Sequence, residues 1–138
     1  MADEIEAAGY DARIVRNWTV PQGADTVNQF RPFHIVADAP VYYDLTAPGW
    51  SARSQMRIIA GDAVIWVEFL STSTIGPRIE LDADGWLSVV LPAATTEDPA
   101  WNERTSGAYD VELVTPDGET IRLAKGKVKV KPDVTRSP

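Results

Sequence analysis

Few residues in this chain can do acid–base or metal chemistry. His34 is the only histidine, and there is no cysteine. A lone imidazole serves as general base or metal ligand only when partners surround it. His34 stands between Phe33 and Ile35 in an alternating segment, on the opposite face, where periodicity supplies no partners. A structural or solvent-facing role is expected. Without cysteine, disulfides, zinc–thiolate sites and thiol nucleophiles are excluded. Asp82 and Asp84 precede Gly85 in "LDADGW", which opens like a calcium loop. The further oxygen ligands and closing Glu of an EF-hand do not follow, so a polar β-turn is expected. Glu97, Asp98 and Glu103 suit a solvated helical turn. The sequence contains no G-x-S-x-G, no H-E-x-x-H and no Gly-rich phosphate loop. The expectation is a protein with no catalytic centre, no cofactor and no metal.

The lysines are unusual. All four, Lys125, Lys127, Lys129 and Lys131, fall on alternate positions of "LAKGKVKVKPDV". A strand sends alternate side chains to one face, so the four share a face and Val128 and Val130 point to the core. Ile121 and Leu123 have the parity of the lysines, so the register must slip between Leu123 and Lys127. Gly126 is the expected site of that bulge. Two uses of the stripe are open. Lysines on an exposed edge strand block edge-to-edge aggregation. Alternatively, a basic strip docks an acidic surface of a partner or of another copy. Nucleic acid is not expected, because no aromatic residue interleaves with the lysines and the net charge is −7.

These residues need a frame, and the frame reads as strands. The 138 residues, 44% hydrophobic and 24% charged, suit one globular domain. Alternating segments recur at 12–20, 29–37, 51–60, 63–70, 78–82, 86–92 and 107–131, separated by turn chemistry. "GD" (Gly61, Asp62) predicts a hairpin turn, and "TPDGE" predicts another with Gly118 in the left-handed position. "AVIWVEFL" is apolar on both faces, which predicts a central strand with Trp66 in the core. Pro32 predicts an edge position or an irregular start for its strand. "ATTEDPAWNER" predicts one or two helical turns. The fold expected is an all-β, immunoglobulin-like antiparallel sandwich of about 7–9 strands with one short helical turn. The sandwich covers residues 12–136, and residues 1–24 hold an N-terminal arm and first strand able to contact a neighbour. Tyr109 in "SGAYDVEL" is placed as a corner tyrosine, its hydroxyl bonding back to upstream backbone. Trp50 and Trp101 lie in connections, as exposed interface anchors or a carbohydrate platform. The longest apolar run, "AVIWV", is far too short to span a bilayer, and "MADEIEAAGYDA" lacks the basic and apolar regions of a secretory signal. A soluble protein made in the cytosol, with no membrane partner, is expected.

The last third resembles a known group. "GAYDVELVTPDGETIRLAKGKVKVKPDVTR" is similar to the ending of small β-sandwich proteins encoded by tailed bacteriophages. In that group a Gly-x-Tyr strand leads to a "PDG" turn and then to a strand with Arg122, Leu123, Gly126, Val128, Val130, Pro132, Val134, Thr135 and Arg136 in matching places. "YDLTAPGWSARSQMR" resembles a middle stretch, with Asp44, Leu45, Thr46, Ala52 and Arg57 matching. "IELDADGWLSVVLPAATT" resembles the strand pair and helical turn that follow, and the N-terminal "MADEIEAAGYDARIVRNW" has no counterpart. The resemblance implies a virion structural component of tail-tip, baseplate or fibre-attachment type. Its partners would be other virion proteins and copies of itself, and its location the virion. A capsid-surface decoration protein is the alternative, and a carbohydrate-binding module is the alternative from another class.

Overall fold

The structure is a computed structural model that describes residues 2–6, 14–59 and 63–132. The turn at Gly61 and Asp62, and the matching residues Val134, Thr135 and Arg136, lie outside the described residues. Eleven strands are described: β1 Ala2–Glu6, β2 Ile14–Val15, β3 Trp18–Pro21, β4 Thr26–Val36, β5 Ala39–Tyr42, β6 Ser51–Arg57, β7 Ile65–Leu70, β8 Arg78–Leu81, β9 Leu87–Leu91, β10 Ser106–Val114 and β11 Thr120–Lys131. A short helix α1 (Ala93–Thr96) and a 3₁₀ turn (Pro99–Glu103) link β9 to β10, where helical turns are expected. Asp98 caps the 3₁₀ turn by accepting from the Ala100 N–H at 2.9 Å.

The strands form a two-sheet sandwich. One sheet runs β1-β4-β9-β8, with β5 also on β4; the other runs β2-β11-β10-β6-β7, with β3 also on β11. The order β4-β9-β8 against β3-β11-β10-β6-β7 is immunoglobulin-like. The N-terminal strands depart from a purely antiparallel pattern: β1 lies parallel to β4, and β2 and β3 lie parallel to β11. The N-terminal arm therefore adds to the domain's own sheets. Ile5 of β1 is buried opposite Pro32. Alternation explains the core. Phe30, Leu87, Val89 and Leu91 from one sheet meet Trp18, Val20, Met56, Phe69, Val111 and Leu113 from the other, all at most 1% exposed.

Three expectations about individual strands need correction. Pro32 is not at an edge. It falls where the neighbours of β4 change, after the pairing with β9 ends at Phe30 and before that with β5 begins at Phe33, so its missing N–H interrupts neither ladder. β7 is not central but is the outermost strand of its sheet. Its apolar character on both faces comes from a register shift beside Trp66 and from Ile65, which is left 39% exposed. β11 is not an edge strand, because β10 lines one side and β2 and β3 the other.

Candidate functional site

The lysine stripe lies on the outer face of the six-stranded sheet, and all four lysines are exposed while Val128 and Val130 are buried. The expected register slip exists, and Ile121 and Leu123 face inward as that slip requires. Its place differs from the expected one. Val111 faces Ala124 while Glu112 faces Arg122, which leaves Leu123 as the extra residue. Two adjacent side chains, Leu123 and Ala124, are consequently both buried.

Gly126 has another duty. A Cβ there would sit 2.0 Å from the Arg16 carbonyl oxygen and 3.1 Å from the Tyr109 ring. Glycine is needed because the Arg16 backbone crosses directly over it, its N–H bonded to the Lys125 carbonyl at 2.9 Å. The chain then breaks between β2 and β3, and Asn17 Oδ1 accepts from the Lys127 N–H at 3.1 Å. Tyr109 completes this crossing. Its hydroxyl donates to the Arg16 carbonyl at 2.5 Å and accepts from Asn28 Nδ2 at 3.4 Å. The bond to upstream backbone is thus made, but its partner is 93 residues away rather than in the turn before the strand. Burial pushes the Tyr109 phenol above its ordinary value, which keeps it a protonated donor. The Arg16 side chain passes between the sheets to Asp3, Asn28 and the Gln29 carbonyl, with its guanidinium 4.3 Å from the Phe30 ring centre. The arginine ties the β2–β3 segment of one sheet to β1 and β4 of the other.

Read across the strands, the outer face consists of rows. Arg122 lies opposite Glu112, which lies opposite Arg53 and bonds it at 3.0 Å. Lys125 lies opposite Asp110, followed by Gln55 and Glu68, the last two bonded at 2.6 Å. Burial, and next the neighbouring Glu112, push the Asp110 carboxyl up. The next rows differ. Lys127 faces Ala108, Lys129 faces Ser106 and Thr19, and Lys131 faces Pro21. No carboxylate stands opposite these three in either adjacent strand. The upper stripe has carboxylates opposite it, one of them, Glu112, ion-paired to Arg53, and among the described residues the lower stripe has none opposite.

The other singled-out residues are dispersed. Trp101 is not an exposed anchor: it is 3% exposed, edge-on to Trp66 with ring centres 5.8 Å apart. The helical connection folds it back under the core. Trp50 is half-buried against Tyr43, 5.1 Å between ring centres, and borders an open groove of about 470 Å³ lined by Ser71, Thr72, Ser73, Arg78 and Glu80. His34 packs on Tyr43 at 5.1 Å, half-buried. Asp82 Oδ1 accepts from the N–H groups of Asp84 and Trp86 at 3.0 and 2.9 Å, which makes the segment a polar turn. Gly118 takes the expected left-handed conformation, φ 85°. The separation of the stripe into two halves was missed from sequence, because it depends on which strand lies beside β11.

Fold and face together define a class, an immunoglobulin-like β-sandwich with a charge-segregated sheet face. No protein-family model matches the chain. It is similar to an uncharacterized protein, ORF56, of Ictalurid herpesvirus 1 (strain Auburn), with 30% identity over 109 residues. That match covers 77% of this chain and 8% of the herpesvirus protein, so the chain spans a small fraction of that relative's length.

Proposed function

We propose that the protein is a structural component of a tailed-bacteriophage virion, a minor tail, baseplate or fibre-attachment protein that acts by protein–protein assembly. The observation that carries this is the row of Lys127, Lys129 and Lys131 on the outer sheet face, with no carboxylate opposite among the described residues, in a chain of net charge −7. A solvated face that served only folding would gain from compensation of the kind seen between Arg53 and Glu112. An uncompensated row is suited to receiving charge from another protein. The resemblance of residues 107–136 to phage β-sandwich proteins supports the placement in a virion. The test is mass spectrometry of particles purified through a density gradient. The peptide is expected in stoichiometric amounts per particle. Its absence from washed particles, with abundant protein in the infected lysate, contradicts the proposal.

A further inference from the structure

We propose that the lower lysine row is a self-association site that receives the acidic loop end of a second copy of this chain. The inference rests on the assembly function above and adds the occupant. Its first support is charge. Set aside the four lysines, and nine arginines face 20 carboxylates, leaving the rest of the chain at −11. Its second support is where those carboxylates lie. The β8–β9 and β10–β11 turns both lie against the connection between β5 and β6: Gly85 abuts the Tyr43 carbonyl, the Leu45 N–H donates to the Asp82 carbonyl at 3.1 Å, and Gly49 abuts Pro116, while Arg31 Nε donates to the Asp84 carbonyl at 2.8 Å. Asp84 and Asp117 are both exposed there. Arg31 at that end is already engaged, its guanidinium 3.4 Å from the Tyr42 ring centre.

The lysine row occupies the other half of β11. The Lys131 carbonyl accepts from the Gln22 N–H and the Val130 N–H donates to the Thr105 carbonyl, at the end opposite the β10–β11 turn. Glu97 and Glu103 are exposed near it, but Asp25 and Asp98 are committed to the N–H groups of Ala93 and Ala100, and Arg104 adds a cation. From Gly118 to Lys127 the extended strand runs roughly 30 Å, several screening lengths at physiological salt. The acidic end and the basic row of one molecule cannot meet. They can meet between molecules. Such a contact joins unlike surfaces, so it is heterologous and propagates into a ring or a short filament. Ala108, Ser106 and Thr19 flank the row with small side chains, which leaves the ammonium groups standing clear of the sheet.

The test is sedimentation velocity of the full chain at about 0.02 M and about 0.5 M salt. Wild type should associate at low salt and return to monomer at high salt. Lys127→Glu/Lys129→Glu/Lys131→Glu should fold normally and stay monomeric, and so should Asp84→Lys/Asp117→Lys. Mixing the two variants should restore association in alternating order, because each supplies the charge that the other has reversed. A variant that fails to fold by circular dichroism is replaced by its Gln or Asn counterpart, which should weaken association about tenfold. Association of the triple Glu variant equal to wild type overturns the site. A wild-type monomer at low salt overturns self-association. That result leaves virion assembly through other proteins standing, since presence in particles is measured separately. Salt-sensitive binding of an oligonucleotide by the row, with the chain still monomeric, also overturns it.

Discussion

Replacing Gly126 by alanine should destabilise the protein, although ordinary strand propensity argues the reverse. The backbone at Gly126 is not in the left-handed region, so alanine carries no dihedral penalty and would normally add about 0.5–1 kcal/mol by stiffening the unfolded chain. The obstacle is the Arg16 carbonyl. With the new Cβ at 2.0 Å, that carbonyl must retreat about 1.4 Å to reach an ordinary 3.4 Å contact. A movement of this size strains the Arg16 N–H bond to Lys125 and the Tyr109 hydroxyl bond to Arg16. Overpacking costs roughly 1–3 kcal/mol, and a buried hydroxyl left without its acceptor costs about 1–3 kcal/mol more. Partial relaxation of the β2–β3 break relieves some of this, so a net loss of about 3 kcal/mol is expected. For a domain of this size that corresponds to a fall of roughly 10 °C in Tm. Urea and thermal unfolding of Gly126→Ala measure it. The double variant Gly126→Ala/Tyr109→Phe should lose less than the sum of the singles, because both strain one hydrogen bond. A neutral or stabilised Gly126→Ala would refute the backbone crossing.

Other substitutions probe the same frame. Tyr109→Phe should cost about 1–2 kcal/mol near neutral pH, read by urea unfolding. The Tyr109 phenol is held above its unfolded value of 10.0, so its contribution is complete below that pH and is lost as pH rises through the folded value. Tyr109→Phe should therefore show a shallower alkaline loss of stability than wild type. Asp110 is also raised, which makes its ionisation unfavourable to folding at neutral pH. Asp110→Asn should be neutral or stabilising at pH 7, with the difference shrinking as pH falls below the carboxyl's folded value and gone below the unfolded value of 3.8. Ile5→Ala should cost about 2 kcal/mol by thermal unfolding, since Ile5 is 3% exposed against β4; no change would show that β1 is not seated there in solution.

Much of the sandwich is legible in the sequence because alternation and turn chemistry are local signals. Leu87, Val89 and Leu91 alternate inward as expected, and Gly118 turns the chain where Pro116 and Asp117 predict. The register slip in β11 follows from parity alone, since Ile121 and Lys125 cannot share a face. Its position does not, because Leu123 becomes the extra residue through the pairing of Val111 and Glu112, a long-range fact. Gly126 was misassigned for a related reason. A glycine excused by a backbone crossing looks the same in sequence as one excused by its dihedrals. That β11 is interior depends on β2 and β3 returning parallel to it, and that β7 is outermost depends on β6 being its neighbour within the sheet, which no local pattern signals. Trp101 reads as exposed in a connection until the 3₁₀ turn is seen to fold it under Trp66.

Lysine acetylation footprinting of purified particles against the isolated protein tests assembly through this sheet face most directly. Lys125 lies opposite Asp110 in the upper stripe and serves as the internal reference. In the particle, Lys127, Lys129 and Lys131 should be protected at least several-fold more strongly than Lys125. In dilute isolated protein at high salt, all four should react as exposed amines. Equal reactivity of the four in particle and isolated protein would contradict assembly through this face.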